Sequence, residues 1–274
     1  MQLATHFGNN SHSIRSHIPL TDEQIEFFAP SVFAKKQHSS RSDKYAYIPT
    51  SFILSGLREQ GFQPFFAAQS RTRDAGNAPF TKHMLRMRHA SQINADSANE
   101  IILVNSHNGA SSYQLFAGVL RFVCKNGLIC GDEIADYRVR HTGDARDSVI
   151  NGAFEVLESF GRVDESMGVM KSIALDEGQQ NAFAKAALTL RYDDIEEAPI
   201  TEDSVLRPRR RDDLGSDLWT VFNRTQENLT KGGLRGRNKE HKLVTTRAVN
   251  GMDANIKLNR ALWVLSEEMA KLAA

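Results

Sequence analysis

The sequence predicts an α+β fold in which an antiparallel sheet is packed by helices and followed by a mostly helical C-terminal half. Extended segments separated by turn residues occupy much of the first half, and apolar residues recur at helical spacing after Gly143. The composition, 41% hydrophobic and 24% charged over 274 residues, is that of a globular chain long enough for a sizeable core. These values exclude a disordered or collagenous protein.

The first segments in chain order are a polar arm and a short helix. Residues 1–44 have little periodic apolar pattern, so we expect an N-terminal arm, with regular structure starting after it. Residues 45–191 are predicted to form an α+β core. Its first helix should span about 50–60, because Ile53, Leu54 and Leu57 share a helical face and Gly61 follows at a suitable end.

A β-hairpin is predicted next, from Gln63–Arg73 and Lys82–His89, because the intervening DAGNAP has turn chemistry. The apolar run within Glu100–Asn105 predicts a third strand. Two further short strands are expected at 128–130 and 137–141. Together these segments form an antiparallel sheet.

The segment Ser112–Lys125 is ambiguous between helix and strand. Its apolar residues, among them Leu115, Val119 and Val123, recur at helical spacing, which predicts a helix that packs on the sheet. A strand over the same residues is the weaker alternative.

The C-terminal half is predicted to be helical around one charged interruption. Asp176 and Gln179 form a capping-box pattern at the start of one helix. Residues 192–213 change from acidic to basic around two prolines and are interpreted as a charged linker. The region 214–274 then contains helices at about 214–229 and 254–271, with a basic, Gly-rich loop between them. The apolar neighbours of Trp219, Phe222 and Trp263 favour a place in the core over a partner-binding face.

Positive charge is concentrated in this last region, although the whole chain has a formal charge of only +1. Between Arg207 and Arg247, eleven Lys and Arg residues face five acidic ones. Cationic side chains beside glycines in KGGLRGR suit phosphate binding, because glycine lets backbone N–H groups approach an anion. The sequence therefore predicts a nucleic-acid-binding site here.

The hairpin is the second basic feature. If Arg71 and Arg73 lie beside Arg86 and Arg88, four guanidinium groups share one face of the sheet and favour a polyanion between them. The alternative is that register separates them or that acids such as Glu100 neutralise them. The predicted nucleic-acid-binding residues are Arg71, Arg73, Lys82, Arg86, Arg88, Arg209, Arg210, Arg211, Lys231, Arg235, Arg237, Lys239, Lys242 and Arg247.

The leading hypothesis is a DNA-binding protein that binds or anneals single strands, rather than an enzyme. One alternative is a protein that binds a host protein. Another is a metal-dependent nuclease that uses carboxylates clustered in sequence, namely Asp132, Glu133, Asp136, Asp144 and Asp147. No CxxC, HxxxH or GxSxG pattern is present, so we expect no metal, cofactor or catalytic residue. A homo-oligomer is also compatible with the predicted sheet edges.

The expected setting is the cytoplasm. Cys124 and Cys130 cannot form a disulfide framework, and the N-terminal residues lack the apolar core of a signal peptide. The mean hydropathy of −0.41 predicts a soluble protein with no membrane partner.

Three segments, SGLREQGFQPFFAAQSRTR, FAGVLRFVCKNGLICGD and LWTVFNRTQENLTKGG, resemble the phage- and plasmid-borne domain-of-unknown-function 932 family. A fourth, TTRAVNGMDANIKLNRALWVLSEEM, extends the resemblance to the C-terminus, so that it covers the chain from about residue 50. The resemblance implies a mobile-element origin and a cytoplasmic protein, and it carries over no catalytic residues. The order of elements is also similar to that of phage single-strand annealing proteins, by analogy only.

Overall fold

The structure is a computed structural model that describes residues 11–41, 45, 47–89, 91, 97–122, 126–131, 136–139 and 145–273. The chain divides into two compact units. Unit 1 comprises Met1–Phe122 and Asp132–Phe160, and unit 2 comprises Val123–Gly131 and Gly161–Ala274. The fold class is α+β, as predicted.

The strands are β1 (Ser11–Arg15), β2 (Phe62–Ser70), β3 (His83–His89), β4 (Ser97–Asn105), β5 (Tyr113–Arg121), β6 (Asn126–Ile129), β7 (Asp136–Val139), β8 (Arg235–Arg237) and β9 (Leu243–Thr245). The helices are α1 (Asp22–Phe28), α2 (Thr50–Glu59), α3 (Ala145–Glu158), α4 (Phe160–Ser172), α5 (Glu177–Thr189), α6 (Glu202–Leu206), α7 (Leu218–Lys231) and α8 (Met252–Ala273).

Unit 1 is built on an antiparallel sheet in the order β1-β2-β3-β4-β5-β7. The predicted hairpin is confirmed as β2 and β3, and the third predicted strand as β4. The short strands expected at 128–130 and 137–141 are β6 and β7. Helices α2 and α3 pack against the sheet, and α2 confirms the predicted helix at 50–60.

The predicted helix at 112–125 is wrong. Tyr113–Arg121 is strand β5, which pairs with β4 and with β7. Side chains on both faces of β5 are buried, so apolar and polar residues do not alternate along the strand. A strand buried on both faces is a nearly continuous apolar run, in which residues three and four apart are also apolar and imitate a helix.

The expectation that regular structure starts after residue 44 is also wrong. Strand β1 pairs with β2 from Ser11 to Arg15, and α1 follows with a capping box between Thr21 and Gln24. Residues 1–10 and 42–44 of the predicted arm lie outside the described residues.

A buried polar network joins α2 to the sheet. The Thr50 hydroxyl lies 2.9 Å from His83 Nε2 and accepts a 3.0 Å hydrogen bond from Asn105 Nδ2. It also lies 3.3 Å from the hydroxyl of Tyr113, which donates to the Ile48 carbonyl at 2.8 Å. Thr50, His83, Asn105 and Tyr113 are all buried, and burial raises the pKa of Tyr113. One hydroxyl therefore ties the first residue of a helix to three strands.

Unit 2 is organised around α7, which is buried from Leu218 to Thr230 and contacts α5, α6 and α8. Asp217 caps α7 by accepting a 2.9 Å hydrogen bond from the Thr220 amide. Trp219, Phe222 and Trp263 pack together with ring centroids 5.7–6.4 Å apart, as expected of core residues. The predicted capping box of Asp176 and Gln179 is present at α5.

The segment 192–213, expected as a charged linker, contains α6 and contributes the buried residues Ile200, Val205 and Asp213 to unit 2. The two predicted C-terminal helices are α7 and α8. Leu214, placed in the first of them by its spacing, lies before α7 and is 66% exposed.

No helix in the described part of the chain combines the length and apolar character needed to cross a bilayer.

Candidate functional site

Two of the predicted phosphate-binding arginines lie in a buried ion cluster in unit 1. Arg86 Nη1 donates to Glu100 Oε2 at 2.9 Å, and Arg88 Nε donates to Glu100 Oε1 at 2.9 Å. Both arginine side chains are 4% exposed, and that of Glu100 is 0% exposed. The Arg88 guanidinium also lies 4.2 Å from the ring centroid of Phe65.

This arrangement lowers the pKa of Glu100. Burial alone would raise that pKa, but Arg86 and Arg88, together with the buried Arg15, favour the ionised carboxylate and prevail. The alternation of β3 places Arg86 and Arg88 on one face as expected, and both pair with the single carboxylate of Glu100. Both guanidinium groups are therefore buried within unit 1 and are not on its surface.

The predicted face of four guanidinium groups is wrong. In the β2–β3 register Arg86 lies opposite Phe66 and Arg88 lies opposite Gln63. Strand β2 ends at Ser70, so Arg71 and Arg73 belong to the exposed connection between the strands. Lys82, half-buried, precedes β3.

In unit 2 the predicted basic loop forms a small two-stranded ribbon of β8 and β9. Arg235 pairs with Thr245, and Arg237 pairs with Leu243. All four of these residues are exposed, and Leu243 is 77% exposed. The ribbon therefore presents two arginines and one apolar side chain to solvent on the same face.

Gly236 fixes the opposite face of the ribbon against the body of unit 2. The Arg237 amide donates to the Pro199 carbonyl at 2.9 Å. A Cβ atom added to Gly236 would lie 1.7 Å from that carbonyl oxygen. Glycine is thus required by close packing, which also sets the direction in which the two flanking arginines point.

Several cations of this region are neutralised by acids. Arg210 pairs with Asp213 at 2.6 Å and with Glu227 at 2.6 Å, and Lys231 pairs with Glu227 at 2.7 Å. Burial alone would raise the pKa of Glu227, but hydrogen bonds from Arg210 and Lys231 hold it below its ordinary value. These two cations therefore stabilise the C-terminal turn of α7.

The lysines of the ribbon are also paired. Lys239 contacts Glu197, and Lys242 contacts Glu240 at 2.6 Å. The four side chains are largely exposed, so each pair is weak. The two lysines and their two carboxylates still give a local net charge close to zero, whereas the charge around Arg235 is positive.

A recess adjoins the ribbon, with a cavity volume of about 370 Å³. It is lined by Ser204, Arg207, Pro208, Arg209, Asn228, Gly233, Leu234 and Arg235. Three of these residues are arginines and none is acidic. Within the described residues, no carboxylate forms a salt bridge with Arg207, Arg209 or Arg235.

Arg209 is held in place by its neighbours. Its Nε donates to Asn228 Oδ1 at 2.6 Å, and its Nη2 donates to the Gly232 carbonyl at 2.5 Å. Asn228 is itself buried and donates through Nδ2 to the carbonyls of Val205 and Arg207, at 2.8 and 2.9 Å. The recess is therefore lined by a fixed guanidinium group on a fixed amide.

The structure brings only Arg209 and Arg235 of the predicted residues together in this recess, with Arg237 on the adjoining ribbon. Arg211 and Arg247 are exposed elsewhere in unit 2. Arg207, Ser204 and Asn228 were missed as site residues. The basic run LRPRRR was the available signal for Arg207, whereas nothing local to Asn228 indicated its role.

Of the carboxylates of the nuclease alternative, Asp136 lies at the start of β7. Asp132, Glu133 and Asp144 lie outside the described residues, and Asp147 lies in the first turn of α3. Among the residues that the structure describes, no group of three His, Cys, Asp or Glu side chains could hold a metal ion.

Comparison with known proteins gives the family. The model of "Domain of unknown function (DUF932)" matches residues 37–263. The chain belongs to this family. Two relatives from Escherichia coli (strain K12), UPF0380 protein YafZ and UPF0380 protein YfjQ, are each 50% identical over 268 residues, covering 98% of this chain and 97% of theirs. No solved structure matches this DUF932 protein.

Proposed function

We propose that this DUF932 protein binds single-stranded nucleic acid through the β8–β9 ribbon and the adjoining recess. The observation that carries the proposal is that one recess is lined by Arg207, Arg209 and Arg235, which pair with no carboxylate of the described part of the chain. Phosphates are bound most strongly where cations are not already neutralised, because binding then releases the condensed counterions. The guanidinium fork also matches phosphate geometry.

The ribbon supports a single strand over a duplex. Leu243 lies directly opposite Arg237 and is 77% exposed, so a cation and an apolar surface are adjacent. Unstacked bases offer apolar faces beside their phosphates, whereas a duplex buries those faces. The phage or plasmid setting and the cytoplasmic location implied by the resemblance belong to the same proposal.

The test is a titration of labelled single-stranded DNA, followed by fluorescence anisotropy across a salt series. The variant Arg235→Ala/Arg237→Ala removes two unneutralised charges. Each phosphate contact on a single strand contributes about 0.7 to the slope of log affinity against log salt, so we expect a slope about 1.4 smaller. Affinity should fall for all base sequences about equally.

Lys239→Ala/Lys242→Ala is the matched control, because it removes the same charge from the same ribbon. Both lysines already face carboxylates, so we expect a clearly smaller loss of affinity and of slope. Equal losses in the two double variants would show that net charge, and not this site, governs binding. Absence of binding at low salt would refute the proposed function and favour a protein partner.

A further inference from the structure

The recess differs from the ribbon in the kind of phosphate that it suits. On the ribbon, Arg235 and Arg237 lie along an open face. In the recess, Arg207 and Arg209 join Arg235 around one cavity of about 370 Å³, within the ~300–1,000 Å³ range of small-ligand sites. An internal phosphate has chain on both sides and follows an open face, whereas a recess of this size accommodates a strand end.

The charge of the recess favours a dianion. Three guanidinium groups around one cavity repel each other, and none of the described residues that line the cavity is acidic, so none reduces that repulsion. A phosphodiester carries one negative charge, whereas a terminal phosphomonoester carries about −1.5 to −2 at neutral pH and offers three strong acceptor oxygens. The terminal group therefore neutralises more of the charge in the recess.

Arg209 is arranged to donate to such a group. An arginine has five N–H donors, and Arg209 uses two of them, on Asn228 Oδ1 and on the Gly232 carbonyl. Three donors remain on a side chain whose orientation those two bonds already fix. Binding there costs less conformational entropy, because the guanidinium of Arg209 is ordered before the ligand binds.

We infer that the recess bounded by Arg207, Arg209 and Arg235 binds the terminal phosphate of a nucleic-acid strand. This inference rests on the proposed function. The ribbon holds internal phosphates of the same strand, and the recess recognises its phosphorylated end.

The experiment compares one oligonucleotide sequence in three forms: 5′-phosphorylated, 3′-phosphorylated, and with hydroxyl groups at both ends. At physiological salt we expect one phosphorylated form to bind about tenfold tighter than the hydroxyl form, the lower end of what a hydrogen bond to a charged group contributes. Phosphorus NMR of that form should show a shift of the terminal resonance on binding.

Two variants separate the recess from the ribbon. Arg209→Lys keeps the positive charge but loses the planar guanidinium group and its hydrogen bonds to Asn228 and Gly232. The preference for the phosphorylated end and the shift of the phosphorus resonance should therefore both be lost. Arg237→Ala should weaken binding of all three forms and retain the preference. Unchanged thermal unfolding midpoints show that each variant is folded.

The outcomes distinguish this inference from the proposed function. Salt-sensitive binding of all three forms with equal affinity would overturn the inference and leave the proposed function standing. Binding of a mononucleotide or inorganic phosphate without binding of any oligonucleotide would overturn both, because the recess would then be a small-molecule site. Loss of the preference in Arg237→Ala but not in Arg209→Lys would place end recognition outside the recess and overturn the inference.

Discussion

Glu100→Gln should strongly destabilise the sheet of unit 1. The carboxylate is 0% exposed and holds Arg86 and Arg88, each at 2.9 Å. Glutamine keeps the shape of the side chain but removes its negative charge. The buried arginines then lose the carboxylate that pairs with them. Removal of one partner from a buried ion pair costs about 3–5 kcal/mol. For a unit of this size that corresponds to a fall in Tm of roughly 6–20 °C.

The assay is urea denaturation followed by far-UV circular dichroism, with hydrogen exchange of the peptides that cover β3 and β4. The matched control is Glu268→Gln, which breaks the exposed pair of Glu268 with Lys271, whose side chains are 58% and 62% exposed. We expect about 0–1 kcal/mol there. A loss in Glu100→Gln no greater than that of the control would refute the reasoning.

The pH dependence gives the same prediction a second test. The pKa of Glu100 is lower in the folded state than in the unfolded chain, where a glutamate titrates near ~4.3. The resulting stabilisation is complete above that pH and is lost as pH falls through the folded-state pKa. The wild type should therefore lose more stability on acidification than Glu100→Gln. Parallel pH profiles would contradict this account.

Two other substitutions test the ribbon and the polar network. Gly236→Ala places a Cβ atom on a backbone oxygen, so hydrogen exchange across β8 and β9 should accelerate and DNA affinity should fall. The control Gly251→Ala, whose Cβ would make an ordinary 3.6 Å contact, should change neither. Equal exchange rates in the two variants would show that the ribbon tolerates a side chain. Thr50→Val removes the hydroxyl that accepts the 3.0 Å hydrogen bond from the buried Asn105 amide, and it should cost about 1–3 kcal/mol of unfolding free energy. The control Ser55→Ala, at an exposed position of the same helix, should cost under ~0.5 kcal/mol. Coinciding denaturant midpoints of the two variants would contradict a stabilising role of the network.

The strands of unit 1 were predictable where apolar and polar residues alternate or where turn residues separate two extended segments. Strands β2 and β3 are separated by unmistakable turn residues, and α2 has both its apolar face and its terminal glycine. Strand β5 was not predictable in this way, because side chains on both of its faces are buried. Hydrophobic periodicity shows which face of a strand is buried, and it gives no such information when both faces are buried.

The candidate site was predictable in its location but not in its charges. The concentration of cations from 207 to 247 indicated the region that contains the ribbon and the recess, but the basic loop was not predicted to form strands β8 and β9. Neutralisation of Arg210 and Lys239 depends on Glu227 and Glu197, which lie 17 and 42 residues away in sequence. Only the folded chain shows which cations keep their charge available.

The aromatic packing of α7 against α8 also makes this protein suitable for optical measurement. Its two tryptophans, Trp219 and Trp263, both belong to unit 2 and lie against each other, and unit 1 contains tyrosine and phenylalanine but no tryptophan. Indole emission therefore reports on the unit that contains the ribbon and recess, without a label. Circular dichroism monitors the β-sheet of unit 1 as well, so the two signals together show which unit a ligand or a substitution affects.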